Sequence, residues 1–319
     1  ENNNLTISPN GSNKIGGVAL NLDLKTNGQA ITLVYVDGTE GWINVQNAEN
    51  TGTGGGFLAA TGGTVTTVDT NFKVHTFTGP GTFCVSSGGG PIGVADYLVV
   101  AGGFREKRAP LSGCYSASPL EGAPVITVSA TSYPIVVGGG GGPAPQSCTG
   151  PNKGNNSSIS TITSTGGGYG GNAFGNAGGP GGSGGGGGGS YPCTPAGFVA
   201  GNGNDPSTTP AQGNPGGTGA GAAVRPQETG GGGGAGAAGS NATPSSSANG
   251  GTGVTTNITG SPVTYAGGGG GGTWSPTGWG PGNPVGSGGA GGGGGGGRTN
   301  APGGGATPTL PGGAGTANT

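Results

Sequence analysis

Residues 263–283 read VTYAGGGGGGTWSPTGWGPGN. A short alternating run of strand type passes into six glycines, then into two tryptophans set among prolines and turn residues. Glycine runs of this kind are the composition of a flexible linker. A linker has no reason to start from a strand or to deliver tryptophans. The arrangement also recurs. YPIVVGGGGG occupies 133–142, STITSTGGG occupies 160–168, and further glycine runs stand at 184–189, 230–234 and 291–297.

Composition turns this pattern into an energetic problem. Of 319 residues, 89 are glycine and 25 proline, while 29 % are hydrophobic and 6 % charged. Fixing a backbone residue costs about 1–2 kcal/mol, and glycine sits at the expensive end while burying no side chain. An oily core cannot offset that cost here. If the chain orders, the N–H and C=O groups of neighbouring segments must satisfy one another. Collagen needs glycine at every third position, and these runs lack that period. The expectation is a bundle of polyproline-II segments, whose amides and carbonyls are free to bond to neighbours. No segment carries a capped helical pattern. The expected fold class is therefore all-β plus a glycine-rich polyproline-II bundle, with no appreciable α-helix.

Residues 1–56 differ in composition. ITLVYV and WINV flank DGTEG, which reads as a hairpin loop, and residues 19–24 alternate as a strand. This small β module is too short to bury much surface by itself and is assigned to oligomerisation or attachment. A strand-rich region follows at 57–137, with two short strands flanking the turn TGPG and an apolar strand at 94–103. The glycine-rich bundle with variable loops is expected over 138–319. From residue 122 onward the only charged residues are Lys153, Asp205, Arg225, Glu228 and Arg298.

Several functions lack the residues they require. A net charge of −2 offers no attraction for nucleic acid or an anionic membrane surface. No run of about 20 apolar residues exists to insert into a membrane. His75 is the sole histidine and reads as a solvent-facing strand residue in FKVHTF. Glu106 and Glu121, in a basic loop with the REKR cluster at 105–108, read as surface charge and not as a glycosidase pair. No glycine run ends in GK[ST]. The four cysteines form no CxxC pair, so no metal site is expected. They allow three disulfide pairings; nearest-neighbour pairing, Cys84–Cys114 and Cys148–Cys193, is the expectation. Neither an enzyme nor a cofactor is expected. A chain beginning ENNNLTISPN is expected to be processed or part of a longer polypeptide.

FTGPGTFCVSS (77–87), DYLVVAGG (96–103), YPIVVGGGGG, STITSTGGG and GSPVTYAGGGGGG (260–272), in that order, resemble the glycine-rich domain of tail-fibre and adhesin proteins of tailed bacteriophages, marine ones among them. The segment from LTISPN to GWINV looks like the β module that precedes it. The resemblance spans roughly residues 4–319. It departs from the family at Gly102-Gly103, where a longer glycine run is expected. It implies packed polyproline-II helices, homotrimeric assembly with other tail or fibre proteins, and an extracellular virion location. Loops at one end of such a bundle bind a host-surface glycan or outer-membrane protein without chemistry. The loops 190–213 and 273–287 hold the large aromatics Tyr191, Phe198, Trp274 and Trp279, which either cap the bundle or form that binding end. A purely structural fibre or secreted filament is the alternative. An ice-binding bundle would need regular Thr or Ala faces that these loops lack.

Overall fold

The computed structural model describes residues 5–24, 31–47, 58–70, 72–87, 93–103, 119–121, 126–142, 153–171, 177–189, 199–220, 227–275, 284–300 and 312–316. Among them there is no α-helix; short strands alternate with extended, irregular chain, as the composition requires. The first strands are β1 (Leu5–Ile7), β2 (Leu22–Leu24), β3 (Ile31–Asp37), β4 (Gly41–Asn47), β5 (Ala59–Thr61), β6 (Thr64–Val68) and β7 (Phe72–Thr76). There follow β8 (Gly81–Ser87), β9 (Val94–Ala95), β10 (Leu98–Val100), β11 (Pro119–Glu121), β12 (Ile126–Thr127), β13 (Ser132–Val136), β14 (Ser157–Ile159) and β15 (Ile162–Ser164). The last are β16 (Gln227–Glu228), β17 (Val254–Thr256), β18 (Val263–Tyr265), β19 (Thr273–Ser275) and β20 (Arg298–Asn300).

Two compact units result. The first comprises Glu1–Ala59, Val85–Val94 and Thr127–Ala130, the second Ala60–Cys84, Ala95–Ile126 and Thr131–Thr319. Boundaries drawn along the sequence at 56 and 137 miss the two returns of the chain to the first unit.

In the first unit β1 pairs antiparallel with β2, and β3 with β4 around Gly38-Thr39-Glu40. The expected hairpin is present. Asp37 caps its loop by accepting hydrogen bonds from the Thr39 and Glu40 amides, both at 2.7 Å. The Glu40 amide first, then the Thr39 amide, hold its carboxyl below the usual aspartate value. Gly41 follows at φ +72°, and a Cβ there would lie 2.1 Å from the Lys14 carbonyl oxygen. That close approach lets Trp42 N donate to Lys14 O at 2.8 Å. Leu24, Val85 and Val128 are the buried apolar residues of this unit among those described. Val34, Tyr35, Val36, Trp42 and Val45 are exposed.

The second unit begins with a small sheet region. β6 and β7 form a hairpin, and a five-stranded sheet runs in the order β15-β14-β13-β8-β5. The strands flanking TGPG therefore form where expected but do not pair with each other. His75 on β7 is half-buried, not solvent-facing. Its Nδ1 lies 2.8 Å from the Gly62 carbonyl oxygen, and its ring meets Phe83 edge-on at 5.1 Å.

Beyond residue 177 the only buried apolar side chains among the described residues are Ala248 and Ala266. Backbone does the packing instead, and its hydrogen bonds have a period of three. Gly230 and Gly233 donate to Gly187 and Gly184; Gly231 and Gly234 donate to Ser240 and Ala237; Gly232 and Ala235 donate to Gly269 and Ala266. Successive amides thus point to three different neighbours in rotation and return to the first after three residues. The run 267–272 behaves alike. Gly267, Gly270 and Thr273 reach Gly291, Gly294 and Gly297 in parallel, while Gly268 and Gly271 reach Gly251 and Ala248 in the opposite sense. Three residues per turn with every such bond leaving the segment is the signature of polyproline II. The shortened pair Gly102-Gly103 joins the same lattice, through Gly102 N to Asn155 O and Gly141 N to Gly103 O. The expected segment 291–297 needs a correction at its start. Gly291 and Gly292 take φ of +96° and +91° and form a turn, so the packed segment begins at Gly293.

Contact between segments is too close for a side chain. A Cβ on Gly186, Gly268 or Gly271 would lie 2.1 Å from a neighbouring carbonyl oxygen, and on Gly231 only 1.9 Å from Asn249 O. Gly295 is an internal control, with its nearest atom, Gly286 O, at 3.9 Å. Gly231→Ala is expected to destabilise the bundle by about 3 kcal/mol or more, because backbone on both sides must move. Gly295→Ala should stay within about 1 kcal/mol of the parent. Thermal melts of the two variants check this, and equal melting temperatures would contradict backbone packing as the source of order.

Candidate functional site

The described part of the first predicted loop, 199–213, is held to the bundle at both ends. Gly181 N donates to Asn202 O, Asn204 N to Gly182 O and Asp205 N to Gly181 O, at 2.8–3.1 Å. Asn204 adopts a left-handed φ of +51°, a conformation asparagine tolerates better than most residues. Its Oδ1 accepts from Thr208 Oγ1 at 2.7 Å, Gln212 N at 3.1 Å and Thr208 N at 3.2 Å. Buried Gln212 closes the far end like a clamp. Its Nε2 donates to Thr163 O at 2.8 Å and its Oε1 accepts from Thr165 N at 2.7 Å. Asn214 then donates to the carbonyls of Gly234 and Ala235. Two peptide bonds in the loop, Asp205–Pro206 and Thr209–Pro210, are cis.

This framework surrounds an open depression of about 450 Å³ lined by Asn202, Gly203, Asn204, Asp205, Ser207 and Pro215. The lining residues divide by role. Asn204 is consumed by the loop itself, whereas among the described residues the side chains of Asn202, Asp205 and Ser207 have no partner. Asp205 is half-buried, and among the described residues no cation pairs with it. Val199, 57 % exposed, stands at the start of the loop.

The predicted aromatic residues are distributed unevenly. Tyr191, Phe198 and Trp279 lie outside the described residues. Trp274 does not begin a loop: residues 273–275 form strand β19 between β16 and β20, where Trp274 stands opposite Gln227 and Thr299 and is half-buried. Cys84, on β8, carries a free thiol 3.4 Å from Ser132 Oγ. Cys114, Cys148 and Cys193 lie outside the described residues, and so do Glu106 and the REKR cluster. Among the described residues no cluster of His, Cys, Asp or Glu is arranged to hold a metal, and no helix is long and apolar enough to cross a membrane.

Sequence reasoning missed Glu228. It sits in RPQETGGGGG (225–234) as one carboxylate beside a glycine run in a nearly uncharged region, and that isolation was the available signal. It is fully buried. Thr273 Oγ1 donates to its Oε2 at 2.6 Å, and Ser247 Oγ lies against the same oxygen. Ser247 Oγ is also 2.7 Å from Gly272 O, and Thr229 Oγ1 accepts from Gly272 N at 2.7 Å. The cluster ties the strand β16 to the glycine run before β19. It is enclosed, so its role is to hold register. Glu228→Ala removes the shared acceptor and is expected to cost about 1–3 kcal/mol, while Glu228→Gln, which keeps an acceptor oxygen, should cost less. Calorimetric unfolding of both variants distinguishes this from a cluster without structural consequence.

No family model, characterised protein or solved structure matches the chain at a significant level.

Proposed function

We propose that this chain is a receptor-binding component of a bacteriophage tail fibre, recognising a host-surface glycan or outer-membrane protein through loops displayed on a glycine-rich bundle. The reading is non-catalytic and places the protein in the extracellular virion, beside other tail or fibre proteins. One observation carries it: among the described residues the chain separates a scaffold, in which most of the glycines admit no Cβ, from a loop at 199–213 that exposes polar side chains such as Asn202, Ser207 and Thr209. Recognition that must follow a changing receptor needs such a division, because sequence can vary only where the backbone lattice does not forbid it. The ordered motifs that resemble phage adhesins point the same way.

The loop 199–213 and the aromatic set Tyr191, Phe198, Trp274 and Trp279 are the proposed binding elements. Large aromatics supply contact energy at low entropic cost. Replacing Trp274 and Trp279 together by alanine is expected to abolish binding of the labelled protein to host cells. The melting temperature and the far-ultraviolet spectrum of the variant show whether the fold survives. Normal binding by the folded double variant would move the receptor site away from the tryptophans.

Assembly as a homotrimer accompanies this reading. Val36 and Val45 of the first unit are 51 % and 54 % exposed, and Tyr35 and Trp42 form an exposed edge-to-face pair at 5.6 Å. A hairpin this small with apolar residues in solvent gains by covering them with copies of itself. Light scattering of the purified chain is expected to give three times the monomer mass, and Val36→Asp with Val45→Asp should reduce it. A stable monomer for the parent chain would reject the trimer. A filament shaft, the alternative from another class, would show open-ended growth in the same measurement.

A further inference from the structure

We propose that the depression lined by Asn202, Asp205 and Ser207 is a subsite for an uncharged saccharide. This rests on the receptor-binding reading of the loops and narrows its ligand to a glycan. Three observations lead to it. First, among the described residues the three side chains lack partners, while their neighbours Asn204 and Gln212 are engaged in holding the loop. The backbone that carries them is therefore fixed before a ligand arrives, which lowers the ordering cost of binding. Second, the open depression of about 450 Å³ has room for one or two sugar rings lying against the surface. Third, the described lining combines amides, a carboxylate and a hydroxyl, and among the described residues it includes no aromatic or large aliphatic side chain.

The chemistry selects among ligands. Sugar hydroxyls both donate and accept, so one ring can use the amide of Asn202 in either sense, donate to Asp205 and exchange with Ser207. A carboxylate accepting hydroxyl bonds makes charge-assisted contacts, stronger than those between neutral groups. A protein partner would be expected to anchor an aromatic or arginine side chain in an apolar pocket, and this lining is polar. Calcium or magnesium demands six or more oxygen ligands and usually several carboxylates, whereas among the described residues Asp205 is the only acid in this lining. An acidic sugar would meet the Asp205 charge with none of opposite sign beside it among the described residues. The expected ligand is thus a neutral hexose or N-acetylhexosamine unit.

The test uses the full chain and the methyl glycosides of glucose, galactose, mannose and N-acetylglucosamine, with glucuronic acid as the charged comparison. Saturation-transfer spectroscopy and titration are expected to show at least one neutral glycoside binding more tightly than glucuronic acid. Asp205→Asn should weaken that glycoside about tenfold, the scale of losing a hydrogen bond to a charged group. Asp205→Ala with Asn202→Ala should abolish it. Among the described residues these side chains hold nothing else in place, so the melting temperature is expected to stay constant. Absence of binding by every neutral glycoside, or equal binding by parent and double variant, overturns the saccharide site. Binding of the labelled double variant to host cells separates the two readings. If cell binding persists while glycoside binding is lost, the adhesin reading stands and its receptor is held elsewhere, as by a protein. If the parent binds glycoside but no cells, the subsite stands and the adhesin reading fails.

Discussion

The structure depends on one contact: a peptide amide of one segment meeting a carbonyl of the next at a separation that leaves no room for a Cβ. Glycine is usually the residue that makes a segment hard to order, because fixing it costs most entropy. Here its missing side chain lets each segment be surrounded by others, so backbone polar groups find partners on several sides without a β-sheet. The strands are short for the same reason. Strand pairing satisfies amides on two sides, whereas the three-fold segments spread theirs around the full circumference. Thus β17 and β18 pair as a hairpin only until Tyr265, and the chain then passes into glycines whose bonds turn through three directions.

Polar side chains take over where the lattice ends. Gln212 bridges the backbone of Thr163 and Thr165, Asn214 reaches the carbonyls of Gly234 and Ala235 at the end of the run 230–234, and Glu228 collects hydroxyls from Ser247 and Thr273. Each satisfies groups that no neighbouring glycine segment reaches. In a chain with so few buried apolar residues, these amides and hydroxyls do at the segment ends what leucine and valine do in an ordinary core. The first unit follows the more familiar rule. Its β3–β4 hairpin is specified by Asp37 and Gly41, one capping the loop and the other admitting the chain at Lys14.

Much of this was legible in the sequence because it follows from composition. Glycine runs too long for collagen and too uncharged for disorder leave few ways to bury an amide, and the three-residue rotation is one of them. Alternation marked the β3–β4 hairpin, and strand-like runs at β15 and β18, for the same local reason. What escaped detection is non-local. β7 and β8 flank a turn yet join different sheets, since their partners β6 and β13 lie before and beyond them in sequence. Strands of two or three residues such as β16, β19 and β20 carry no period to read, so from sequence Trp274 reads as a loop residue. The site was half legible. Loop 190–213 drew attention through its aromatics, but the depression in it is made by Asn202, Asp205 and Ser207, whose significance comes from what their neighbours are already bonded to.

The three-residue rotation carries a consequence for how such a chain can change length. Within a packed segment the neighbour of each amide is determined by its position modulo three. Gly230 and Gly233 face one segment, Gly231 and Gly234 another, Gly232 and Ala235 a third. Adding or deleting one or two residues there rotates everything downstream by a third or two thirds of a turn and hands each amide the wrong neighbour. A change of three residues restores the phase and only slides the segment along its axis. Connecting loops have no phase to keep. Length variation in this architecture is therefore quantised in the scaffold and continuous at the surface it displays.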